Sequence, residues 1–307
     1  MALTGILRTG LVQLRVTDLE ETLQHYRDRI GLYVVGNIDE NRVMLKAYDE
    51  FDHHSLVLRK ADKPGLDFMC FKALDEKTVN DIVHKTKDEF GFPITFEDNH
   101  PGFGRIWFIT VPTGHQIGIY NQVELSENHP MIDNPHIWKD CPHGMGPACV
   151  DHALLCGPNQ AETVRWFTEC MGMSITEYVL NPDGQGHLCT WLSGNTRGHD
   201  VAVLSFNKPG MIHHLSFQLK NWDEIGRAAD IIGRYGIKID AGPMRHGITR
   251  GQTIYFFDPS GNRNETYAGG YEYFPDHPTR KWTADHVGEG IFYYEKELNG
   301  RFLSILT

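Results

Sequence analysis

The chain repeats itself. Four segments read as amphipathic helices closed by a glycine: DLEETLQHYRDRIG, ending at Gly31; LDEKTVNDIVHKTKDEFG, ending at Gly91; AETVRWFTECMG, ending at Gly172; and WDEIGRAADIIGRYG, ending at Gly236. In the first, Leu19, Leu23, Tyr26 and Ile30 recur at helical spacing, and a glycine just past the last turn is the usual stop. A short strand-like run precedes each helix: LVQLRV, FMCFKA, DHALL and HHLSFQL. After the helices come β-rich stretches broken by Gly/Pro turns, such as IWFITVPTGHQIGIY and TIYFFDPSGNRNETY. Such a chain is α+β, built from four copies of a strand–helix unit with further strands, and the copies fall into two halves.

The halves can be registered on each other. Pro112-Thr113-Gly114 lies on Pro259-Ser260-Gly261, and at almost the same offset Phe71 lies on Phe217. The stretch from Asn121 to Pro147 is rich in Asn, His and Pro with little periodicity, which marks a linker. The expected organisation is therefore an N-terminal unit over 1–125, a linker over 126–147, a second unit over 148–275 and a tail over 276–307 packed on it.

Composition removes several function classes. A net charge of −11 argues against nucleic acid or anionic lipid as the main partner, because both require a basic footprint. No apolar run approaches the roughly 18 residues needed to cross a bilayer. The opening MALTGILRTG has neither the basic start nor the apolar core of a secretory leader. Six cysteines show no CxxC and no disulfide framework, which suggests reduced thiols in the cytoplasm. Histidine is over-used, with 17 copies.

Those histidines matter where the repeat is broken. His152 in VDHALL matches Gln13 in LVQLRV, His214 in MIHHLSF matches Phe68, Glu265 in GNRNETY matches Gly118, and Tyr255 matches Phe108. The second half thus carries His, His and Glu at three strand positions where the first half has an amide, a phenyl ring and no side chain. Adjacent side chains of a regular strand face opposite ways. His214, which shares its repeat position with His152, is expected on the inner face, with His213 pointing away. Any one of these three alone is better explained as a hydrogen-bonded core histidine or a solvated glutamate. Together they form the ligand set of a facial triad, characteristic of non-haem Fe(II) oxygenases, with three octahedral positions left open. Zinc accepts the same donors, but HExxH or a similar helical spacing is lacking.

The stretches VDHALL, GHDVA around His199, IHHLSFQL, GPMRHG around His246 and above all TIYFFDPSGNRNE resemble the extradiol ring-cleaving dioxygenases of the vicinal oxygen chelate superfamily, and the resemblance runs from about Leu11 to the end. It implies βαβββ modules, two per barrel-like domain, with a metal only in the C-terminal domain. It implies Fe(II) held by His152, His214 and Glu265, and His199, His246 and Tyr255 around the substrate. His199 would move protons, and His246 and Tyr255 would donate hydrogen bonds to substrate oxygens. The implied reaction is O₂-dependent opening of catechol or a small alkylcatechol beside its diol, giving a 2-hydroxymuconate semialdehyde-type product. A homotetramer is implied as well. Ile248 and Phe302 are candidate lining residues of the substrate cavity. The alternatives are a family member acting on a larger or carboxylated catechol, of biphenyl-2,3-diol or homoprotocatechuate type, and a metal-free binding protein of the same fold.

Overall fold

Each of the four repeat units begins with a long, largely buried strand, and in the first, second and fourth the helix starts where a short polar side chain satisfies an exposed backbone N–H group. Asp18 accepts from Glu21 N, Asp75 from Thr78 N and Asn221 from Glu224 N, at 2.8–3.0 Å. The helices stop at glycines in the left-handed region, with φ of 98° at Gly31, 65° at Gly91, 68° at Gly172 and 63° at Gly236. In the computed structural model, which describes residues 5–307, this grammar yields four βαβββ modules. The first four residues, part of the stretch read as lacking a leader, lie outside the described residues.

The first module is β1 (Ile6–Val16), α1 (Leu19–Gln24, continued by a wider turn through Ile30), β2 (Tyr33–Asp39), β3 (Arg42–Lys46) and β4 (Leu56–Lys60). The second is β5 (Gly65–Ala73), α2 (Glu76–Lys85, continued through Phe90), β6 (Ile94–Glu97), β7 (Ile106–Thr110) and β8 (Gln116–Tyr120). The third is β9 (Cys149–Gly157), α3 (Gln160–Glu169), β10 (Ser174–Leu180), β11 (His187–Ser193) and β12 (Val201–Ser205). The fourth is β13 (Met211–Gln218), α4 (Trp222–Arg234), β14 (Ile239–Arg245), β15 (Gly251–Phe257) and β16 (Arg263–Gly269). The tail adds β17 (Arg280–Trp282), α5 (Val287–Ile291) and α6 (Gly300–Ser304).

Two sheets result, in the orders β2-β3-β4-β1-β5-β8-β7-β6 and β14-β15-β16-β13-β9-β12-β11-β10-β17. In each, two modules join through their first strands, antiparallel at the centre: β1 with β5, and β9 with β13. One continuous apolar core serves both halves, because helices of one half pack against strands of the other. Tyr26 of α1 lies against Phe217 of β13, and Phe167 of α3 against Phe71 of β5, with ring centroids 6.0 Å apart in both pairs. The contact is also polar. Tyr26 Oη donates to Asp258 Oδ2 at 3.1 Å and accepts from Asn264 Nδ2 at 2.8 Å, and Trp166 Nε1 donates to Thr86 Oγ1 at 2.8 Å.

The other side of each sheet carries its own cluster, and here the halves diverge. The first sheet closes on Phe68, Cys70, Phe103, Phe108 and Tyr120. Gly118 sits among them, and a side chain there would run into Cys70 Sγ. The second sheet encloses a cavity instead.

The joint between the halves makes a prediction. Tyr26→Phe removes a fully buried hydroxyl from Asp258 and Asn264 while keeping the ring, so stability should fall by about 1–3 kcal/mol. Chemical denaturation measures this, and metal content of the folded protein should be unchanged.

Candidate metal centre and its cavity

The cavity has a volume of about 100 Å³ and is walled by apolar side chains from β9 to β13, from the turn between β14 and β15 and from the tail, including Leu154, Val179, Trp191, Ile248, Ile291 and Phe302. The lining includes no Lys or Arg. Ile248 and Phe302 are 2% and 4% exposed and both face the cavity, where they were expected.

At one end three donor atoms converge. His152 Nε2 on β9 lies 2.9 Å from Glu265 Oε2 on β16, His214 Nε2 on β13 lies 3.3 Å from the same oxygen, and the two imidazole nitrogens are 3.3 Å apart. Ligands about 2.1 Å from one ion sit roughly 3.0 Å apart in mutually cis octahedral positions and roughly 3.4 Å apart in tetrahedral ones. Glu265 Oε2 is buried and receives no hydrogen bond of acceptable direction. Its other oxygen is held by Thr253 Oγ1 at 2.6 Å. A buried carboxylate oxygen left open towards two imidazole nitrogens is what a divalent cation satisfies. The residues therefore suit a metal ion.

The charge states agree. Burial alone would raise the pKa of Glu265, but the imidazoles of His214 and His152 outweigh it and hold the carboxyl well below its usual range. Burial would lower His152, yet the Glu265 charge and the bond to Asp151 push it up to about 9. Burial keeps His214 well below the ordinary histidine value against the pull of Glu265. The cluster thus needs one positive charge: a proton on His152 when metal is absent, the ion when it is present.

Each ligand is held from behind. Asp151 Oδ2 accepts from His152 Nδ1 at 2.7 Å, and Arg197 Nη1 donates to Asp151 Oδ1 at 2.5 Å. His152 is thereby fixed with Nε2 toward the cluster. Asp151 and Arg197 were not singled out in the sequence, although the Asp-His pair in VDHALL was a usable signal. Behind His214 stands His213, with Nδ1 2.7 Å from Nδ1 of its neighbour. The expectation that His213 points away assumed regular alternation. The β9–β13 register slips between Ile212 and His214, a bulge that brings both rings to the same site, and His213 lines the cavity. GPMRHG runs largely within strand β14.

The remaining candidates ring the opening. The His199 ring centroid is 3.9 Å from that of His152, and burial followed by the His152 charge keeps its pKa well below the usual value. Tyr255, paired across the strands with Glu265, donates its hydroxyl to His246 Nε2 at 2.8 Å. His246 Nδ1 donates to the Ile291 carbonyl, so a neutral His246 has its lone pair on Nε2. It can donate there only with a second proton, which burial disfavours. Tyr267, missed in the sequence, stands edge-on to both His152 and His199, at 5.3 and 5.9 Å.

The sequence profile of the Glyoxalase/Bleomycin resistance protein/Dioxygenase superfamily matches residues 150–266. The chain is 42% identical to a metapyrocatechase from Pseudomonas sp. (strain CF600), over 99% of both chains. It is 28% identical to a manganese-dependent 2,3-dihydroxybiphenyl 1,2-dioxygenase from Geobacillus genomosp. 3, over 95% of both. Among solved structures, the 2,3-dioxygenase LapB from Pseudomonas sp. KL28 superposes with a TM-score of 0.89 at 40% identity, covering 92% of this chain and 99% of that one.

Two outcomes are expected of the centre. Glu265→Ala should reduce bound metal to background in a folded protein, as read by elemental analysis. Because metal must displace the His152 proton, metal affinity should rise about tenfold per pH unit from near-neutral pH up to about 9 and then level off. Competition titration with a chelator of known pH dependence measures this slope.

Proposed function

Since the chain belongs to the extradiol ring-cleaving dioxygenases, we propose that it opens catechol and small alkylcatechols with O₂, beside the two hydroxyls, at a ferrous ion held by His152, His214 and Glu265. The product is a 2-hydroxymuconate semialdehyde, in the breakdown of aromatic compounds. The observation that carries this reading is a donor triad at the end of a small cavity with apolar walls and no lysine or arginine in its lining. A monocyclic diol suits such a space. A carboxylated catechol would bury its charge there unpaired, at a cost of several kcal/mol. A biphenyl diol, with its second ring, would need a larger one.

The metal, when bound, makes the diol more acidic and brings it together with dioxygen, which confers the advantage of an intramolecular encounter. The protein does the rest. His199, neutral and beside His152, takes a proton from the diol and returns it later in the turnover. Tyr255 turns its hydroxyl from His246 to a substrate oxygen and stabilises charge that builds there. His246, fixed by the Ile291 carbonyl, accepts that hydroxyl until a substrate oxygen takes its place. Leu154, Trp191 and Ile248 keep water away from the ring.

Iron is preferred here over manganese on the strength of the resemblance; activity of the metal-free chain reloaded with each ion decides between them. A homotetramer is also proposed. Leu125, at the end of the first unit, and Ile132, Ile137 and Trp138 of the linker are exposed, at 55%, 59%, 81% and 44%, apolar side chains that suit association, and sedimentation would measure the size of the assembly. We place the chain in the cytoplasm, in keeping with six free cysteines. Among the described residues, no helix is long and apolar enough to cross a membrane.

The direct test adds catechol to iron-loaded protein under argon, admits air and follows the absorbance of the yellow ring-opened product. Catechol and methylcatechols should exceed 3-phenylcatechol and 3,4-dihydroxyphenylacetate in kcat/KM; the reverse order would favour one of the larger-substrate alternatives. Tyr255→Phe should retain fold and iron but turn over more slowly. His199→Ala should still bind catechol while kcat drops about 10²–10⁴-fold; near-normal kcat would remove it from proton transfer.

A further inference from the structure

We propose that His213 is a positioning residue that couples docking of the C-terminal segment to the metal ligand His214, by fixing the tautomer of that ligand. This rests on the reading of His214 as a ligand and adds a device that the ligand set does not itself contain.

The argument is one of proton counting. His213 Nε2 lies 2.9 Å from the carbonyl oxygen of Phe302, which can only accept, so the proton of a neutral His213 is on Nε2. Its Nδ1 is then an acceptor. His214 Nδ1, 2.7 Å away, must be the donor in that contact. A neutral His214 with its proton on Nδ1 has its only lone pair on Nε2, the atom that faces Glu265 and His152. The metal-ready tautomer of His214 is therefore selected by a main-chain carbonyl of the tail.

That carbonyl is held firmly. Arg263, paired with Asp240 at 2.8 Å, donates to the carbonyls of Phe302 at 3.0 Å, Ile305 at 2.9 Å and His213 itself at 3.0 Å. Thr307 closes a two-way main-chain pair with Ile212, at 2.8 and 3.1 Å. If the tail lifts, His213 loses its acceptor, both tautomers become available to it, and one of them presents a proton to His214 Nδ1 and turns the ligand's own proton toward the ion. The fold itself does not require a histidine here. The corresponding residue of the first half is Asp67, which pairs with Arg59 and Arg15 at 2.6 and 3.1 Å.

Two substitutions separate the two ends of the relay. In His213→Asn the amide oxygen takes the place of Nδ1 and still accepts from His214, but the side chain is too short for Phe302. In His213→Gln the amide nitrogen reaches Phe302, but nothing accepts from His214. Metal affinity, from chelator competition with Fe(II) under argon, should be within about threefold of wild type for the Asn variant and about 10–100-fold weaker for the Gln variant. Hydrogen exchange of residues 300–307 should be faster in the Asn variant and near wild type in the Gln variant. Equal metal affinity in all three proteins, or a Gln variant that binds metal better than the Asn variant, overturns the relay and leaves His213 a mere tail anchor. The wild-type chain offers a check that needs no variant. By linkage, adding metal should slow amide exchange in the tail, and unchanged exchange overturns the coupling. Wild type that binds no metal at all overturns the site reading with it.

Discussion

A buried carboxylate and two buried imidazoles whose free atoms point at one spot are an unstable arrangement without a positive charge between them. Removing the charge of Glu265 from water costs several kcal/mol, and an apolar cavity returns none of it. A cation at that spot offsets the cost, and so the second sheet is built to deliver three side chains there from three different strands. β9 and β13 are the central antiparallel pair, β16 is the next strand out, and each is the first or last strand of its module. Each of the three has a hydrogen-bonded neighbour on both sides.

The supports around the three ligands follow from the same constraint. Thr253 satisfies the carboxylate oxygen that does not face the ion, Asp151 with Arg197 sets one imidazole, and His213 with the tail sets the other. Each support comes from a different part of the chain. The tail contributes both a wall of the cavity, the Phe302 ring, and a hydrogen-bond acceptor behind the metal, the Phe302 carbonyl. One residue of the tail is therefore both a wall of the cavity and a support of the donor cluster.

Much of this was legible in the sequence because duplication supplies an internal control. Comparing Gln13, Phe68 and Gly118 with His152, His214 and Glu265 showed which polar residues the fold does not need, and helix spacing with terminal glycines marked the modules. What could not be read depends on departures from regularity. The bulge at His213 breaks the alternation that any strand argument assumes, so His213 was placed on the wrong side. The proton position on His246 depends on the Ile291 carbonyl, 45 residues away in sequence, and no local pattern announces it. Asp151 was hidden by being adjacent to a ligand, where attention goes to the histidine.

The closed first half has a consequence for anyone who would build two centres into one chain. Grafting His, His and Glu onto Gln13, Phe68 and Gly118 would not be enough. The Phe108 ring, which packs 5.0 Å from that of Phe68, would remain after the graft, and a side chain at Gly118 would run into Cys70 and crowd Phe108. The first half is filled from within, so a second centre there demands excavation before any ligand is installed.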